Sequence, residues 1–305
     1  MQFPTRSLPA ALAAAALTVT LAACGAGGDG SGGAATPTTG APAAPVVTKD
    51  AKLAGMVPPS VSADGKIVFG TDASYPPNEF TDTNGTTIIG MDVDLATAVA
   101  TKLGLGAEFQ NSQFSGIIPG IQGAKYEAGI SSFSVTDERV KTVDMISYFT
   151  AGTSLAVKKG NPDKLTVDDL CGKAIGVQSG TTQADEIADR NAKCAAAGKP
   201  PLTVTELTAQ TDVTLALTSS RIVGMLADSP VAAYAVTTTE GAVEVVGQPY
   251  ATAPYGIVIA KNQGDYAKAI QGAIQSLIDD KTYSAILKKW NVTIGAIPTS
   301  EVKGG

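Results

Sequence analysis

The sequence predicts an α/β fold, and three observations lead to this prediction. Short runs rich in β-branched residues alternate along the chain with longer runs of helical periodicity. Residues 49–305, about 255 residues, are enough for two modest domains. Beyond the N-terminal segment, no second apolar run is long enough to be predicted as a membrane span.

The first predicted elements are a strand, two turns and a helix. Residues 66–70 predict a strand that ends before a Pro-Pro turn at 76–77. After an Asn-Gly turn at 84–85, residues 92–103 have helical periodicity. The predicted buried face of this helix contains Leu95, Val99 and Leu103. Asp92 is available to cap its N-terminus.

Strands and helices also alternate through the rest of the chain. Three short apolar runs are predicted to be strands: 153–157, 173–178 and 223–227. A turn at 179–182 leads into a helix with Ile187 and Ala188 on its predicted buried side. A helical stripe near the C-terminus contains Tyr266, Ile270, Ile274 and Ile278, and Ile286 and Trp290 follow it. We interpret these stripes as core positions.

The N-terminus has the pattern of an export signal and a lipid anchor. Residues 1–23 contain one cation, Arg6, and a short apolar run of about a dozen residues, too short for a stable membrane span. The motif Leu-Ala-Ala-Cys ending at Cys24 resembles a bacterial lipobox, which predicts that Cys24 is acylated. Residues 24–50 are mostly Gly, Ala, Thr, Ser and Pro, which predicts a flexible tether. The alternative is an ordinary cleaved signal with an incidental cysteine.

Composition excludes several classes of function. The 22 basic and 28 acidic residues give a net charge of −6, which argues against nucleic acid as a partner. The chain has no histidine, which removes histidine-based triads, histidine general bases and most zinc sites. We therefore predict no catalytic residue, no metal and no cofactor.

The two cysteines that remain beside Cys24 form an even pair. In an exported protein, Cys171 and Cys194 are predicted to form a disulfide, because extracytoplasmic compartments are oxidising. Two buried free thiols are the alternative.

Eight short sequence blocks stand out along the chain: 70–77 (GTDASYPP), 90–95 (GMDVDL), 114–119 (FSGIIP), 131–139 (SSFSVTDER), 176–182 (GVQSGTT), 227–230 (ADSP), 255–257 (YGI) and 287–290 (LKKW). In their order and spacing, these blocks resemble the bacterial extracellular solute-binding protein family 3, the polar-amino-acid binders of ABC transporters. The resemblance covers the chain from about residue 66 to residue 292.

This resemblance implies two Rossmann-like lobes joined by two hinge strands, the type II periplasmic-binding-protein architecture. The implied first lobe is discontinuous, at 51–150 and 254–305, and the second lobe is 151–253. The implied ligand-binding residues are Asp72, Tyr75, Phe114, Ser132, Ser134, Arg139, Thr182 and Asp228.

For the ligand carboxylate, Arg139 is the leading candidate, because a guanidinium offers paired donors that match a carboxylate. Thr136 is predicted to cap a helix that begins near Arg139, and a cation in a first helical turn opposes the helix dipole. Residues 179–182 turn from a strand into a helix, where free backbone N–H groups form an anion site, and the resemblance gives Thr182 contact with the carboxylate. The alternatives are a surface arginine and ordinary turn and cap residues.

For the ligand ammonium group, the resemblance implies Asp228 and Ser134, with the Ser132 carbonyl as a further acceptor. Without the resemblance, Asp228 is equally compatible with a turn residue before Ser229-Pro230.

The side-chain end of the site is implied to contain Asp72, Tyr75 and Phe114. In relatives, the Tyr75 position stacks on the ligand side chain and the Asp72 position accepts its hydrogen bonds, which favours glutamine or a basic amino acid. Core packing is the alternative for the two aromatic residues. Three positions depart from known patterns: Asn78, where an aromatic residue is common, and Gln178 and Ala227, where glutamine-binding proteins have lysine and histidine.

The resulting hypothesis is a monomer, lipid-anchored on the extracytoplasmic face of the cell membrane, that binds a polar amino acid between two lobes and delivers it to an ABC permease in the cytoplasmic membrane. Two alternatives stay open: a dehydratase-like enzyme for small carboxylic acids on the same scaffold, and a ligand-sensing protein that signals to a membrane receptor.

Overall fold

The computed structural model describes residues 46–304, which have the mixed α/β fold that the sequence predicts. The predicted signal peptide at 1–23, the predicted lipidation site Cys24 and most of the predicted tether lie outside the described residues. Among the helices of residues 46–304, none has the length and apolar character needed to cross a membrane.

The strands of the described part, in chain order, are β1 Lys66–Thr71, β2 Ser74–Tyr75, β3 Glu79–Thr81, β4 Ile88–Ile89, β5 Gly106–Asn111, β6 Ala128–Gly129, β7 Val143–Lys158, β8 Ala174–Gln178, β9 Thr203–Leu207, β10 Gly224–Asp228, β11 Val243–Ala260 and β12 Val302–Lys303. The helices are α1 Ala51–Ala54, α2 Pro59–Ser62, α3 Met91–Lys102, α4 Phe114–Gln122, α5 Arg139–Thr142, α6 Thr182–Ala196, α7 Gln210–Thr218, α8 Ser229–Thr238, α9 Tyr266–Asp279 and α10 Thr282–Lys289, followed by a 3₁₀ turn at Thr293–Gly295.

Most of the strands form one sheet, in the order β5-β1-β6-β11-β7-β10-β8-β9, with β12 paired to β7. The strands β5, β1 and β6 are parallel and are connected through α3 and α4. The strands β10, β8 and β9 are also parallel and are connected through α6 and α7. These two parallel groups, with their helices, are the first lobe and the second lobe.

The long strands β7 and β11 connect the lobes and pair with each other along most of their length. Their ladder shifts register between Val246 and Tyr250 and again between Tyr250 and Ala253, where the chain passes from one lobe to the other. Ala251 has a positive φ of 48° in this segment. Irregular pairing of this kind bends strands locally, so the two crossing strands are bent where the lobes meet.

Each lobe has its own apolar core. The largest core lies under α3 and α9 in the first lobe and includes Phe69, Leu95 and Ile274, all of which are fully buried. The second-lobe cores draw almost all of their residues from 155–246. The exception is Tyr75 of the first lobe, which packs into a second-lobe core. The lobe boundaries at 51–150 plus 254–305 and at 151–253 stay a prediction.

Two local predictions about side chains are wrong. Asp92 does not cap α3, since Gly90 occupies the N-cap with a φ of 143°, and a Cβ at Gly90 would lie 2.0 Å from the Asn78 carbonyl oxygen. The Asp92 side chain is instead fully buried inside the lobe. Ala188 is exposed on α6, whereas Ile187 is buried as predicted, because only a narrow stripe of this otherwise polar helix faces the core.

The disulfide between Cys171 and Cys194 is present, with 5.7 Å between the two Cα atoms. It connects the loop before β8 to the last turn of α6, and neither cysteine lines the cavity described below.

Replacing both cysteines by serine is expected to lower the free energy of unfolding by about 3 kcal/mol, because the closed loop no longer restricts the unfolded chain. Denaturant unfolding of the Cys171→Ser, Cys194→Ser double variant measures this loss. Ligand affinity is the control and should stay unchanged. Equal unfolding free energies of the double variant and the oxidised parent protein would contradict the prediction.

Candidate functional site

A narrow cavity lies between the two lobes. The cavity brings together all eight predicted ligand-binding residues: Asp72, Tyr75, Phe114, Ser132, Ser134, Arg139, Thr182 and Asp228. Five further residues line it: Glu79, Ser131, Gln178, Thr181 and Gln183. Thr181 belongs to the turn that the sequence analysis predicted as an anion site, and Gln178 is one of the departures named there, whereas the other three were not predicted. The contact of any of these residues with a ligand stays a prediction.

The strand order explains why these residues meet. Asp72 follows β1, Gln178 ends β8 and Asp228 ends β10. In open α/β sheets, ligands bind beyond the carboxyl ends of the parallel strands. The carboxyl ends of both parallel groups border the same cavity, so each lobe contributes one edge to it.

Arg139 reaches the cavity from the first residue of α5. Its backbone N–H donates to Thr136 Oγ1 at 3.2 Å. The N-cap of α5 is nevertheless Glu138 and not Thr136 as predicted, and Glu138 forms no capping hydrogen bond through its side chain. The Arg139 guanidinium donates to the carbonyl oxygens of Ser134 (2.8 Å) and of Gly180 (3.1 Å), the second of which belongs to the other lobe. The guanidinium carbon lies 5.4 Å from the centre of the Phe114 ring, a cation–π distance. Burial lowers the pKa of Arg139.

The turn before α6 faces Arg139 from the second lobe. Thr181 Oγ1 accepts from the backbone N–H of Ala184, which satisfies one of the free donors of the first helical turn. The N–H groups of Thr182 and Gln183 have no acceptor within the helix by its geometry, so they are available to an anion. Gly180 has a φ of 74°, and a Cβ there would lie 3.0 Å from the Ser115 Cβ of the first lobe. Glycine therefore permits the close approach of the two lobes.

Asp228 is a buried carboxylate held by residues from both lobes. Its Oδ2 accepts from Tyr255 OH at 2.7 Å and its Oδ1 from Gln183 Nε2 at 2.8 Å. Its backbone N–H donates to Tyr75 OH at 3.1 Å. Burial raises the pKa of Asp228, an effect that these hydrogen bonds and the positive charge of Arg139 oppose. Asp228 and Arg139 line the same cavity. The prediction that these two side chains contact the ammonium group and the carboxylate of one amino acid requires this arrangement.

The side chain of Asp72 also lines the cavity. Its Oδ2 accepts from the Phe114 backbone N–H at 2.8 Å and from Gln178 Nε2 of the second lobe at 2.9 Å. Burial raises the pKa of this carboxyl group. A ligand with N–H donors on its side chain would supply further hydrogen bonds to this carboxyl group.

The aromatic residues serve both the cavity and the packing. Phe114 stacks on Phe133 with 4.5 Å between ring centres, and both Phe114 and Tyr75 are buried. The core-packing alternative therefore describes part of their role, although both also line the cavity.

The three departures from known patterns have different outcomes. Gln178 lines the cavity and contacts Asp72. Asn78 is not a cavity residue but is fully buried behind it, where its Nδ2 donates to Ser132 Oγ at 2.9 Å. Ala227 is buried in the second-lobe core and does not line the cavity either.

Two acidic residues position the serines, Glu79 from the cavity lining and Asp92 from behind it. Glu79 Oε1 accepts from Ser131 Oγ at 2.9 Å, and Asp92 accepts from the backbone N–H of Ser132 at 2.9 Å. Ser132 has a positive φ of 53°, a strained conformation for a residue other than glycine that is often found at functional sites.

The family model for bacterial extracellular solute-binding proteins, family 3, matches residues 67–293. The arginine-binding protein ArgT of Corynebacterium glutamicum is 33% identical over 247 residues, which cover 81% of each chain. The ABC transporter glutamine-binding protein GlnH of Bacillus subtilis is 28% identical over 237 residues, 76% of this chain and 83% of that protein. The solved structure of an ancestral arginine-binding protein bound to arginine has a TM-score of 0.69 and 35% identity, covering 74% of this chain and 98% of the other. These similarities confirm the predicted family and fold.

Proposed function

Because this chain belongs to the bacterial extracellular solute-binding proteins, family 3, we propose that it binds a basic L-amino acid in the cavity between its lobes. The family and the similar proteins bind solutes and are not enzymes, which sets aside the dehydratase alternative. The amino acids in the names of its relatives differ, so the preference for a basic side chain rests on the cavity itself.

The single observation that carries this proposal is the distribution of charge in the cavity. The described lining residues include one cation, Arg139, and three acidic side chains, Asp72, Glu79 and Asp228. Arg139 and Asp228 match the carboxylate and the ammonium group of an amino acid, since each buried charge needs an opposite partner. Asp72 and Glu79 then remain for the ligand side chain, and a cationic side chain satisfies them better than a neutral one.

The placement of these groups on two lobes supports closure around the ligand. Direct hydrogen bonds already join the lobes at the cavity, from Arg139 to Gly180 and from Gln178 to Asp72. At its edge, the backbone N–H of Gln210 donates to Ser74 Oγ at 3.0 Å. A ligand that contacts both lobes binds the closed form more tightly than the open form. This difference in affinity shifts the protein toward the closed form.

In the full proposal, the closed, loaded protein delivers its amino acid to an ABC permease in the cytoplasmic membrane. The N-terminal pattern supports export as a lipoprotein, with Cys24 as the lipid anchor and residues 24–50 as the tether. The protein is proposed to act as a monomer.

A thermal-shift screen of the twenty amino acids plus ornithine and citrulline tests the function. A ligand present at 100 times its dissociation constant should add about 2.7 kcal/mol to the free energy of unfolding. We expect the largest shifts with arginine, lysine or ornithine, and a smaller shift with glutamine. Sugars and dipeptides are the control ligands. If only control ligands raise the melting temperature, the proposal is wrong.

A further inference from the structure

Two acidic side chains lie against each other at the back of the cavity. Glu79 of β3 and Asp92 of α3 are both fully buried. Ser132 contacts both, since its Oγ donates to Glu79 Oε2 at 3.2 Å and its backbone N–H donates to Asp92 Oδ2 at 2.9 Å. Glu79 also lines the cavity, whereas Asp92 lies behind it.

The hydrogen bonds around this pair leave one oxygen without a donor. Both Glu79 oxygens accept from serine hydroxyls, from Ser131 at Oε1 and from Ser132 at Oε2. Asp92 Oδ2 accepts from Ser132 N and from Tyr148 OH at 2.7 Å. Asp92 Oδ1 is buried and has no hydrogen-bond partner among the described residues. A proton on Glu79 would provide the missing donor, because a neutral carboxyl group can donate to a neighbouring carboxylate.

The charged surroundings also favour a proton between the two groups. Neither carboxyl group forms an ion pair with a Lys or Arg of the described residues. The titratable groups around Glu79 are the acids Asp92 from α3 and Asp72 from the end of β1, with Tyr148 of β7 and Tyr75 of β2.

Burial raises the pKa of Glu79 well above its usual value, and the negative charges of Asp92 and Asp72 raise this pKa further. The cavity's one described cation, Arg139, donates to the carbonyl oxygens of Ser134 and Gly180.

We propose that Glu79 and Asp92 share one proton in the ligand-free protein, and that a ligand with a cationic side chain displaces this proton into solvent. The O–H bond of Glu79 breaks, the proton passes to water or buffer, and the ligand side chain donates a hydrogen bond to the resulting carboxylate. A ligand with a neutral side chain binds without this release. This inference rests on the proposed function and adds a proton-linked preference for cationic ligands.

The sign of the pH dependence follows from linkage. In the free protein the pKa of Glu79 is raised, and a ligand cation beside the carboxylate lowers this pKa. Between the two pKa values, the affinity for a cationic ligand rises with pH and approaches a tenfold gain per pH unit. The affinity for a ligand with a neutral side chain stays flat over the same range.

Titration calorimetry with arginine and with citrulline tests the proposal, since the two side chains have similar shapes and differ in charge. Repeating each titration at one pH near neutrality in two buffers of different ionisation enthalpy gives the number of protons released. We expect about one proton for arginine and none for citrulline. The α-ammonium group is common to both ligands, so its contribution cancels in the comparison.

Binding of both amino acids with equal proton numbers, or of arginine with no release at any pH tested, overturns the inference and leaves the proposed function intact. If neither amino acid binds and no other does, the proposed function itself fails.

A matched pair of variants tests whether Glu79 is the group that releases the proton. In Glu79→Gln, the amide oxygen can still accept from Ser131 and the amide N–H can donate to Asp92 Oδ1. We expect this variant to release no proton with any ligand it binds and to lose the preference for arginine over citrulline. The control Glu108→Gln removes a carboxylate of the same lobe that pairs with Lys66 at the surface, and should keep the proton release with arginine. Release of a full proton from Glu79→Gln would contradict the assignment.

Discussion

Substituting Arg139 by alanine is expected to weaken amino-acid binding by about 2–5 kcal/mol, which is about 30-fold to 5,000-fold in Kd. The reason is the desolvation of the ligand carboxylate. In the closed cavity this group loses its water, and the guanidinium of Arg139 is the one cationic partner among the described lining residues. Without it, the N–H groups at the start of α6 are left to hold a buried charge alone.

The same substitution should have little effect on folding. The pKa of Arg139 is lowered by burial, which means that the charged guanidinium is held in a place that does not favour it. The variant loses two hydrogen bonds to carbonyl oxygens, at Ser134 and Gly180, each worth about 1.5–3 kcal/mol because the donor is charged. This loss is offset because the variant no longer buries a charged guanidinium.

Calorimetry and thermal unfolding of Arg139→Ala, with Arg221→Ala as the control, separate the two effects. Arg221 is an exposed arginine of the second lobe, and its loss should change neither binding nor stability. Arg139→Lys is a useful third variant, because an ammonium group keeps the charge but loses the paired donors. Wild-type affinity in Arg139→Ala would remove the carboxylate site from the proposal.

Arg139 also shows what could be read from the sequence. A cation placed where the helix dipole opposes it is unusual. Thr136 accepts from the Arg139 backbone N–H, although the N-cap of α5 is Glu138 and not Thr136 as predicted. The short apolar strands and the C-terminal helical stripe could also be predicted from the sequence, because burial of one face of an element imposes a regular spacing on its apolar residues. The predicted helix 266–278 corresponds to α9 at Tyr266–Asp279.

The long crossing strands were only partly predicted, and the reason is physical. The sequence indicated a strand at 153–157, whereas β7 extends over Val143–Lys158. Strand β7 continues through Gly152, because β11 pairs with β7 on both sides of this position. The pairing residues of β11 are about a hundred positions away in the sequence, so a local sequence pattern does not indicate this pairing.

Glu79 and Asp92 were not predicted as a pair for a related reason. Asp92 lies in the first turn of α3, where an acidic residue suits the helix dipole, so the local pattern indicated a cap. Its actual partners, Ser132 and Tyr148, come from distant segments. A buried polar network depends on such long-range contacts, and one sequence alone does not reveal them.

Asp228→Asn is the second substitution with a large expected effect, and it should move binding and stability in different directions. The amide keeps the size of the side chain but removes the charge that faces the ligand ammonium group. Leaving that ammonium group buried without a charged partner is expected to weaken binding by about 2–5 kcal/mol.

The stability of the ligand-free variant should equal or exceed that of the parent at neutral pH. The pKa of Asp228 is raised in the folded protein, mainly by burial. The folded state therefore binds a proton on this carboxyl group more tightly than the unfolded state does. For such a group the parent gains stability as pH falls through the raised pKa toward the lower pKa of the unfolded chain, and it loses this gain as pH rises above the raised pKa. Asparagine is neutral at every pH and should remove this dependence. It can still accept from Gln183 and donate to the Tyr255 oxygen.

Thermal unfolding of the ligand-free proteins between about pH 4 and about pH 8, together with calorimetry, tests both directions. Asp212→Asn is the control, because Asp212 is an exposed acid on α7 of the same lobe. A ligand-binding site has to hold an uncompensated charge until its ligand arrives, and this is the physical origin of the expected trade-off. If Asp228→Asn bound the ligand normally, or if it unfolded far more easily than the parent at neutral pH, Asp228 would be a structural residue and not the partner of the ammonium group.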